Sequence, residues 1–282
     1  MPTALPSPLV RRGRRCYDAP MKMLVSIILI PVAAYLLLAL AMFIFQRSLL
    51  YFPVPFPAGV ERQEVVVENG DIRLHGWLIN PGRARALIYF GGNAEAVHWN
   101  ITDFEILFRD YSVYLLHYRG YGRSEGKPGE AALLSDALAI YDQLSKQYQY
   151  VSAMGRSLGS GIAVYLAAQR QVDRLVLVTP YDSIAEVAQH HYPFLPARWV
   201  VRDRFESFRH APKITVPVLL ISAEKDEVVP VKSALKLLEH LDAAPVTYRM
   251  IEGARHNDIT DFDEYRRLLT GFALEGIAEQ AR

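Results

Sequence analysis

The chain has 282 residues, of which 51% are apolar and 22% charged, and its formal net charge is +1. This length and apolar content suffice for one large globular domain with an extension, and the near-zero charge gives no reason to expect a nucleic-acid partner. The single cysteine, Cys16, excludes a disulfide framework within the chain and a cysteine-rich zinc site.

The N-terminal region predicts a basic tail over residues 1–22 and a membrane helix over residues 23–46. Residues 23–45 carry no charge and, as a helix, are long enough to cross a hydrocarbon core of about 30 Å. Positively charged residues favour the cytoplasmic side of a membrane. They precede this run, whereas only Arg47 closely follows it, so we expect a cytoplasmic N-terminus and a chain that continues outside the cytoplasm. The preceding charges are Arg11, Arg12, Arg14, Arg15 and Lys22.

Two alternatives concern this N-terminal segment. Residues 39–41, Ala-Leu-Ala, resemble the small-residue cleavage site of a signal peptide, but the apolar run continues past them and is longer than a usual signal core. A membrane anchor is therefore preferred. A translation start at Met21 or Met23 would remove the arginines and with them most of the argument for topology.

Residues 47–62 are rich in proline and aromatic residues and predict a linker near the membrane surface. Over residues 63–282, short apolar runs alternate with helical spacing, and several runs (ALIYF, LVLVT, VLLIS) are continuously apolar, as in strands covered on both faces. This alternation predicts an α/β domain with a mostly parallel eight-stranded sheet, opened by a hairpin, with helices on both faces. The predicted strands are residues 64–68, 73–80, 86–90, 113–118, 150–154, 175–179, 218–223 and 247–252. The predicted helices are residues 95–108, 130–148, 158–170, 231–241 and 261–278.

One segment, residues 183–212, breaks this alternation between the sixth and seventh strands. It carries five aromatic residues, so it is either a helical excursion packed on its own domain or a cap whose aromatic side chains line an apolar substrate path. The five are Tyr192, Phe194, Trp199, Phe205 and Phe208.

The motif Gly155-Arg156-Ser157-Leu158-Gly159 lies where a predicted strand meets a predicted helix. On a sharp strand-to-helix turn a serine side chain stands clear of the sheet, and flanking glycines keep the turn free of side-chain clashes. The helix that begins at Leu158 directs free amides at the same point. We therefore predict Ser157 as a nucleophile.

A serine nucleophile needs a base and an acid that orients the base. Of the eight histidines, only His256 lies in a loop directly after the last predicted strand, and Asp226 lies directly after the seventh. The chain order Ser157, Asp226, His256 is that of the α/β-hydrolases. Asp182, which follows the sixth strand, is the competing acid.

The oxyanion formed during acyl transfer needs two amide donors. We expect one from Leu158, directly after the nucleophile, and one from the glycine-containing loop after the third strand, from Asn93 or alternatively from Gly92. No metal-ligand motif and no nucleotide-binding motif is present, and residues 119–126 (RGYGRSEG) lack the spacing of a dinucleotide loop. We therefore expect no metal and no cofactor.

Taken together, the chain resembles the α/β-hydrolase superfamily, and within it the membrane-anchored branch of lysophospholipase-like and depalmitoylase-like proteins with their bacterial relatives. The resemblance is carried by LLYFP, FGGNAE, YRGYGRSEGKPGE, GRSLGSG, TPYDSI, VPVLLISAEKDEVVP and GARHND. It implies the α/β-hydrolase fold and a triad of Ser157, Asp226 and His256. Relatives usually have a histidine where this chain has Gly91.

The expected function is a membrane-anchored serine hydrolase that cleaves an ester or thioester of an apolar, lipid-like acyl group through an acyl-enzyme. Two alternatives remain open. A peptidase or amidase would use the same triad, and a membrane-tethered binding protein would use the fold without catalysis.

Overall fold

The computed structural model describes residues 18–280, with side chains from residue 25 to residue 273. The predicted basic tail therefore lies outside the described residues, except for the backbone of residues 18–22. The chain divides into two compact units after Phe45. The first unit contains most of helix α1, which runs from Asp18 to Leu50 and contains Pro31.

Helix α1 extends beyond the predicted membrane helix of residues 23–46 at both ends. Its segment Val25–Leu50 has a mean hydropathy of 2.8, and it is the one helix within the described residues that is long and apolar enough to cross a membrane. Its last turn, from Gln46 onward, belongs to the second unit.

The second unit is built on a sheet of eight strands, as the sequence predicts. The spatial order is β1-β2-β4-β3-β5-β6-β7-β8. Strand β2 pairs antiparallel with both β1 and β4, and every other neighbouring pair is parallel. The strands are β1 Gln63–Asn69, β2 Ile72–Ile79, β3 Arg85–Phe90, β4 Tyr111–Leu116, β5 Tyr150–Arg156, β6 Leu175–Val178, β7 Val218–Ala223 and β8 Val246–Ile251.

Helices cover the two faces of this sheet, and alternate residues of each central strand point to opposite faces. Ile88 of β3 belongs to one buried cluster, whereas its neighbours Leu87 and Tyr89 belong to the other. Both clusters are apolar, which explains the continuously apolar runs in the sequence. The remaining helices are α2 Ile101–Leu107, α3 Glu130–Leu144, α4 Leu158–Gln169, α5 Ile184–His191, α6 Ala197–Val200, α7 Ser207–His210, α8 Val231–Glu239 and α9 Asp263–Gln280.

The helix predicted over residues 95–108 is shorter and begins later than expected. Ala94 has a positive φ of 57°, and a 3₁₀ turn, Val97–Asn100, precedes α2. A left-handed residue cannot continue into an α-helix. The Glu95 side chain instead folds inward to bond the Gly92 amide at 2.5 Å.

The segment expected as a linker, residues 47–62, belongs to the second unit, and its first part is packed against the rest of that unit. Tyr51 is buried and donates to Asp203 at 3.0 Å, while the Phe52 amide donates to Asn93 Oδ1 at 3.1 Å. In a flexible linker, the Tyr51 hydroxyl and the Phe52 amide would be left to water. Here, both donate to acceptors of the domain. The domain therefore begins before residue 63.

Residues 183–212 form three short helices, α5 to α7, in the position expected of a cap. Ala197 and Phe205 are buried, so part of the segment packs on its own domain. Phe194 and Trp199, by contrast, are 89% and 79% exposed. These two aromatic rings therefore do not line an enclosed substrate path, because their faces are turned outward.

Candidate active site

Ser157 lies between β5 and α4 in a conformation that few residues other than glycine adopt. Its φ is 49° and its ψ is −118°. The Ser157 amide donates to the Val178 carbonyl at 2.9 Å, and both the amide and the hydroxyl of Ser160 donate to the Ser157 carbonyl. A strained backbone of this kind persists only when its surroundings fix it, and it is typical of functional sites.

The two glycines of the motif are required by close approach of the backbone. A Cβ at Gly155 would lie 2.3 Å from the Gly159 carbonyl oxygen, and a Cβ at Gly159 would lie 2.0 Å from the Phe90 carbonyl oxygen. Neither distance is possible for a side chain. The glycines therefore let α4 begin directly against β3 and β5, with Ser157 at the carboxyl end of the sheet.

His256 reaches Ser157 from the loop after β8. Its Nε2 lies 2.9 Å from Ser157 Oγ, and its Nδ1 lies 2.8 Å from Asp226 Oδ2. A carboxylate accepts hydrogen bonds only, so Nδ1 carries the proton of the neutral ring. Nε2 is then the acceptor, facing the serine hydroxyl.

Asp226 is held in place by its own loop. Its Oδ1 accepts from the amides of Val228 and Val229 at 2.9 and 2.7 Å, and its side chain is 2% exposed. The competing acid, Asp182, is bonded elsewhere: its carboxylate accepts from Ser233 Oγ and lies 3.8 Å from Lys236 Nζ. Of the two predicted acids, the structure brings only Asp226 to His256.

The loop after β3 lies beside the nucleophile. A Cβ at Gly92 would lie 3.7 Å from Ser157 Cβ. The Gly92 amide, however, donates to Glu95 Oε2 at 2.5 Å and is therefore engaged. Between the two predicted donors on this loop, the geometry favours the Asn93 amide over that of Gly92. Leu158, the other predicted donor, is the first residue of α4.

The side chain of Asn93 makes contacts that the sequence did not indicate. Its Nδ2 donates to the Leu50 carbonyl at 2.5 Å, and its Oδ1 accepts from the Phe52 amide at 3.1 Å and from Tyr121 Oη at 3.0 Å. The Leu50 carbonyl lies at the C-terminus of α1, where carbonyls lack a partner within the helix. Asn93 therefore joins the loop beside Ser157 to the end of the apolar helix.

A buried ion pair, also missed from the sequence, links the same loop to the nucleophile and the base. Arg156 Nη1 lies 3.4 Å from Glu95 Oε2, and Arg156 Nη2 donates to the His256 carbonyl at 3.1 Å. Burial by itself lowers the pKa of Arg156, but Glu95, Tyr89 and the other nearby groups raise it by more, so the guanidinium stays charged. The signal in the sequence was two opposite charges placed inside the motifs FGGNAE and GRSLGSG.

Two further residues fix the backbone around the site. Tyr118 Oη donates to the Gly91 carbonyl at 2.6 Å, and burial raises the pKa of this phenol well above its usual value, which keeps it a neutral donor. A Cβ at Gly91 would lie 2.9 Å from the Val97 side chain. Val97 therefore occupies the space that a larger residue at position 91 would need.

A sheet of this order, with a serine on the turn between β5 and α4, defines the α/β-hydrolase fold. The model of the family Hydrolase_4, described as serine aminopeptidase, S33, matches residues 87–209 and 206–263. The chain belongs to this family of α/β-hydrolases and is a hydrolase enzyme, which implies a small-molecule substrate.

Individual relatives agree with this assignment. A protein of Mycobacterium tuberculosis described as uncharacterized is 36% identical over 256 residues, covering 82% of this chain and 89% of its own length. An uncharacterized membrane protein of Saccharomyces cerevisiae is 27% identical and covers 78% of this chain and 82% of its own length. In this chain, the apolar helix α1 suggests membrane anchoring.

Solved structures share the fold at low sequence identity. The Pyrococcus furiosus esterase Pf2001 superposes with a TM-score of 0.61 at 19% identity, covering 80% of this chain and 98% of its own. At this identity the likeness establishes the fold alone.

Proposed function

We propose that this hydrolase is a membrane-anchored serine hydrolase that cleaves carboxylic ester or thioester bonds of apolar acyl substrates. The observation that carries the proposal is the pair of hydrogen bonds at His256, 2.9 Å to Ser157 Oγ and 2.8 Å to Asp226 Oδ2. This arrangement suits acyl transfer, because it provides a nucleophile, a base and an acid that orients the base.

In the proposed reaction, the Ser157 hydroxyl attacks the substrate carbonyl while its proton passes to His256 Nε2. The amides of Leu158 and Asn93 stabilise the oxyanion, and the alcohol or thiol leaves with the proton from His256. Water then attacks the acyl-enzyme, His256 takes its proton and returns it to Ser157 Oγ, and the acid is released. Asp226 stabilises the imidazolium in both steps.

Turnover of p-nitrophenyl esters tests the proposal. We expect Ser157→Ala to lose about 10⁴-fold or more in rate, as in other enzymes with this triad. Ser152→Ala is the matched control, because Ser152 is a buried serine on β5, the strand that ends directly before Ser157, and its hydroxyl has no hydrogen-bond partner among the described residues. Equal rates for wild type and Ser157→Ala would overturn the proposal.

A peptidase or amidase is the second candidate, because the matching family is described as serine aminopeptidase. The same acyl group presented as a p-nitrophenyl ester and as a p-nitroanilide separates the two. Faster cleavage of the anilide, lost in Ser157→Ala, would support the peptidase. A chain that cleaves neither substrate and reacts with no serine-directed probe would favour the third alternative, a binding protein.

The proposed topology places the N-terminus in the cytoplasm and the domain from residue 46 onward outside it. The proposal is supported by the basic residues that precede the apolar run. Protease added to intact cells should remove the domain from the cell surface, after permeabilisation of the outer membrane where one exists. If the domain stays protected from protease until the membrane that holds α1 is lysed, the topology is the reverse of the one proposed, with the domain in the cytoplasm.

A further inference from the structure

The loop between α5 and α6 and the residues that follow carry exposed aromatic side chains. Tyr192, Phe194 and Trp199 are 49%, 89% and 79% exposed. Soluble proteins seldom leave several large apolar side chains together on the surface without a function. We refer to residues 192–202 as the cap rim.

Hydrogen bonds hold the cap rim in a defined shape. Gln189 Nε2 donates to the Leu195 carbonyl at 2.9 Å, and Gln189 Oε1 accepts from the Arg198 amide at 3.3 Å. Ala197 lies beneath them and is 6% exposed. The outward direction of Phe194 and Trp199 is therefore built into the fold of the segment.

The cap rim is bonded to the last turn of α1. Gln46 Oε1 accepts from the Arg202 amide at 2.6 Å, and Gln46 Nε2 donates to the Val200 carbonyl at 3.5 Å. Gln46 follows Phe45 directly in the chain, at the end of the apolar run. The contact between the cap rim and Gln46 therefore lies at the residue that directly follows the apolar run in the chain.

The composition of the cap rim fits a membrane interface. Tryptophan and tyrosine concentrate at the boundary between headgroups and acyl chains, where the ring is apolar and its polar atom meets water. Arg198 and Arg202 are exposed on either side of Trp199, and Arg198 also lies 3.4 Å from Glu186 Oε2. Exposed guanidinium groups at this edge suit the negative charge of lipid phosphates. The place of Gln46 directly after the apolar run, the aromatic rings and the positive charge therefore agree on one partner, a lipid bilayer.

On this basis we propose that the cap rim inserts into the headgroup region of the same bilayer that holds α1, and that the substrate is an acyl compound resident in that bilayer. The proposal rests on the membrane anchoring proposed above. Directly before the cap rim, His191 Nε2 lies 2.8 Å from the carbonyl of Val228, and the amide of Val228 donates to Asp226 Oδ1. The cap therefore joins the membrane surface to the active site.

Quenching of tryptophan fluorescence tests where the rim lies. The full chain is reconstituted into phosphatidylcholine vesicles with and without brominated acyl chains. We expect Trp199→Phe to remove most of the quenching by bromine. Trp99→Phe, which changes a similarly exposed tryptophan outside the rim, is the matched control.

Two results would overturn the proposal. The first is bromine quenching in Trp199→Phe equal to that of wild type. The second is a Trp199 that is shielded from aqueous acrylamide but not quenched by bromine, which would mean that a second copy of the chain covers the rim.

A kinetic experiment separates this proposal from the proposed reaction. We expect Phe194→Ser/Trp199→Ser to raise the apparent KM for a long-chain ester in vesicles by about tenfold, because membrane binding scales with the apolar area inserted. Turnover of water-soluble p-nitrophenyl acetate should stay within about twofold. An equal loss on both substrates would overturn the role of the rim. The quenching experiment uses no substrate. If the chain has no esterase activity, the proposed reaction is refuted, but quenching still tests whether the cap rim enters the bilayer.

Discussion

The side-chain amide of Asn93 donates a 2.5 Å hydrogen bond to the main-chain carbonyl of Leu50, at the end of the apolar helix. The same residue is the proposed oxyanion donor through its backbone amide. One side chain therefore ties the last residue of α1 to the loop beside Ser157. Residues 50–52 thus support this loop.

We expect Asn93→Asp to lower kcat on a soluble ester by about tenfold or more, with KM within about twofold. The aspartate keeps an acceptor for Phe52 and Tyr121 but turns a carboxylate oxygen towards the Leu50 carbonyl, which shifts the loop. Steady-state kinetics measure both parameters, and thermal unfolding checks that the variant is folded. A wild-type kcat in the folded variant would show that this contact does not position the loop.

The choice of acid is tested by paired substitutions. Asp226→Asn should reduce kcat by about 10⁴-fold, because the amide no longer holds His256 in the tautomer that accepts the serine proton. Asp182→Asn should keep near-wild-type activity, since Asp182 bonds Ser233 and lies near Lys236 instead. The opposite pattern of rates would identify Asp182 as the acid.

The buried pair of Glu95 and Arg156 should be strongly coupled in stability. Glu95→Gln leaves a buried guanidinium without its counter-charge, at a cost of about 3–5 kcal/mol in the free energy of unfolding. The double variant Glu95→Gln/Arg156→Met should lose clearly less unfolding free energy than the two single variants lose in sum. Denaturant unfolding of all four proteins measures the coupling, and additive losses would contradict it.

A buried histidine away from the site predicts how stability depends on pH. His117 packs against Phe56 and Trp77, and burial, with smaller contributions from His98 and His75, lowers its pKa to about 4. Between about pH 6.5 and 4 the unfolded chain therefore binds a proton that the folded chain does not. The contribution of neutral His117 to the free energy of unfolding is full above about pH 6.5. It falls by up to about 3 kcal/mol as the pH falls to about 4.

The variant His117→Gln cannot titrate at this position. Its melting temperature should therefore fall less than that of the wild type between pH 7.5 and pH 4.5, whatever its starting value. Differential scanning calorimetry at both values measures the two shifts. Equal shifts would mean that His117 does not remain neutral in the folded chain.

Much of the fold was predictable because the periodicity of the sequence is strong. In a chain that alternates strands and helices, a short apolar run such as that of β7 is best explained as a buried strand. The crowded turn at Ser157 requires glycines on both sides, and the sequence motif shows them. The sequence predicts a helix from residue 95, because the helical spacing extends to that residue. The left-handed Ala94 and the inward Glu95 delay the start of α2 to Ile101.

The contacts around the site were not predictable to the same degree. The bond between Asn93 and Leu50 joins residues that are distant in sequence and carry no motif in common. Residues 47–62 are rich in proline and aromatic residues and lie next to a predicted membrane span, which favours a linker. Only the fold reveals that Tyr51 has a buried partner in Asp203, beyond the cap rim.

The most direct test of the central claim is to locate the residue that a fluorophosphonate probe modifies in the full chain. We expect mass spectrometry to find the probe on Ser157, with labelling lost in Ser157→Ala and retained in Ser152→Ala. Labelling of another serine, or equal labelling of the Ser157→Ala variant, would contradict the assignment of Ser157 as the nucleophile.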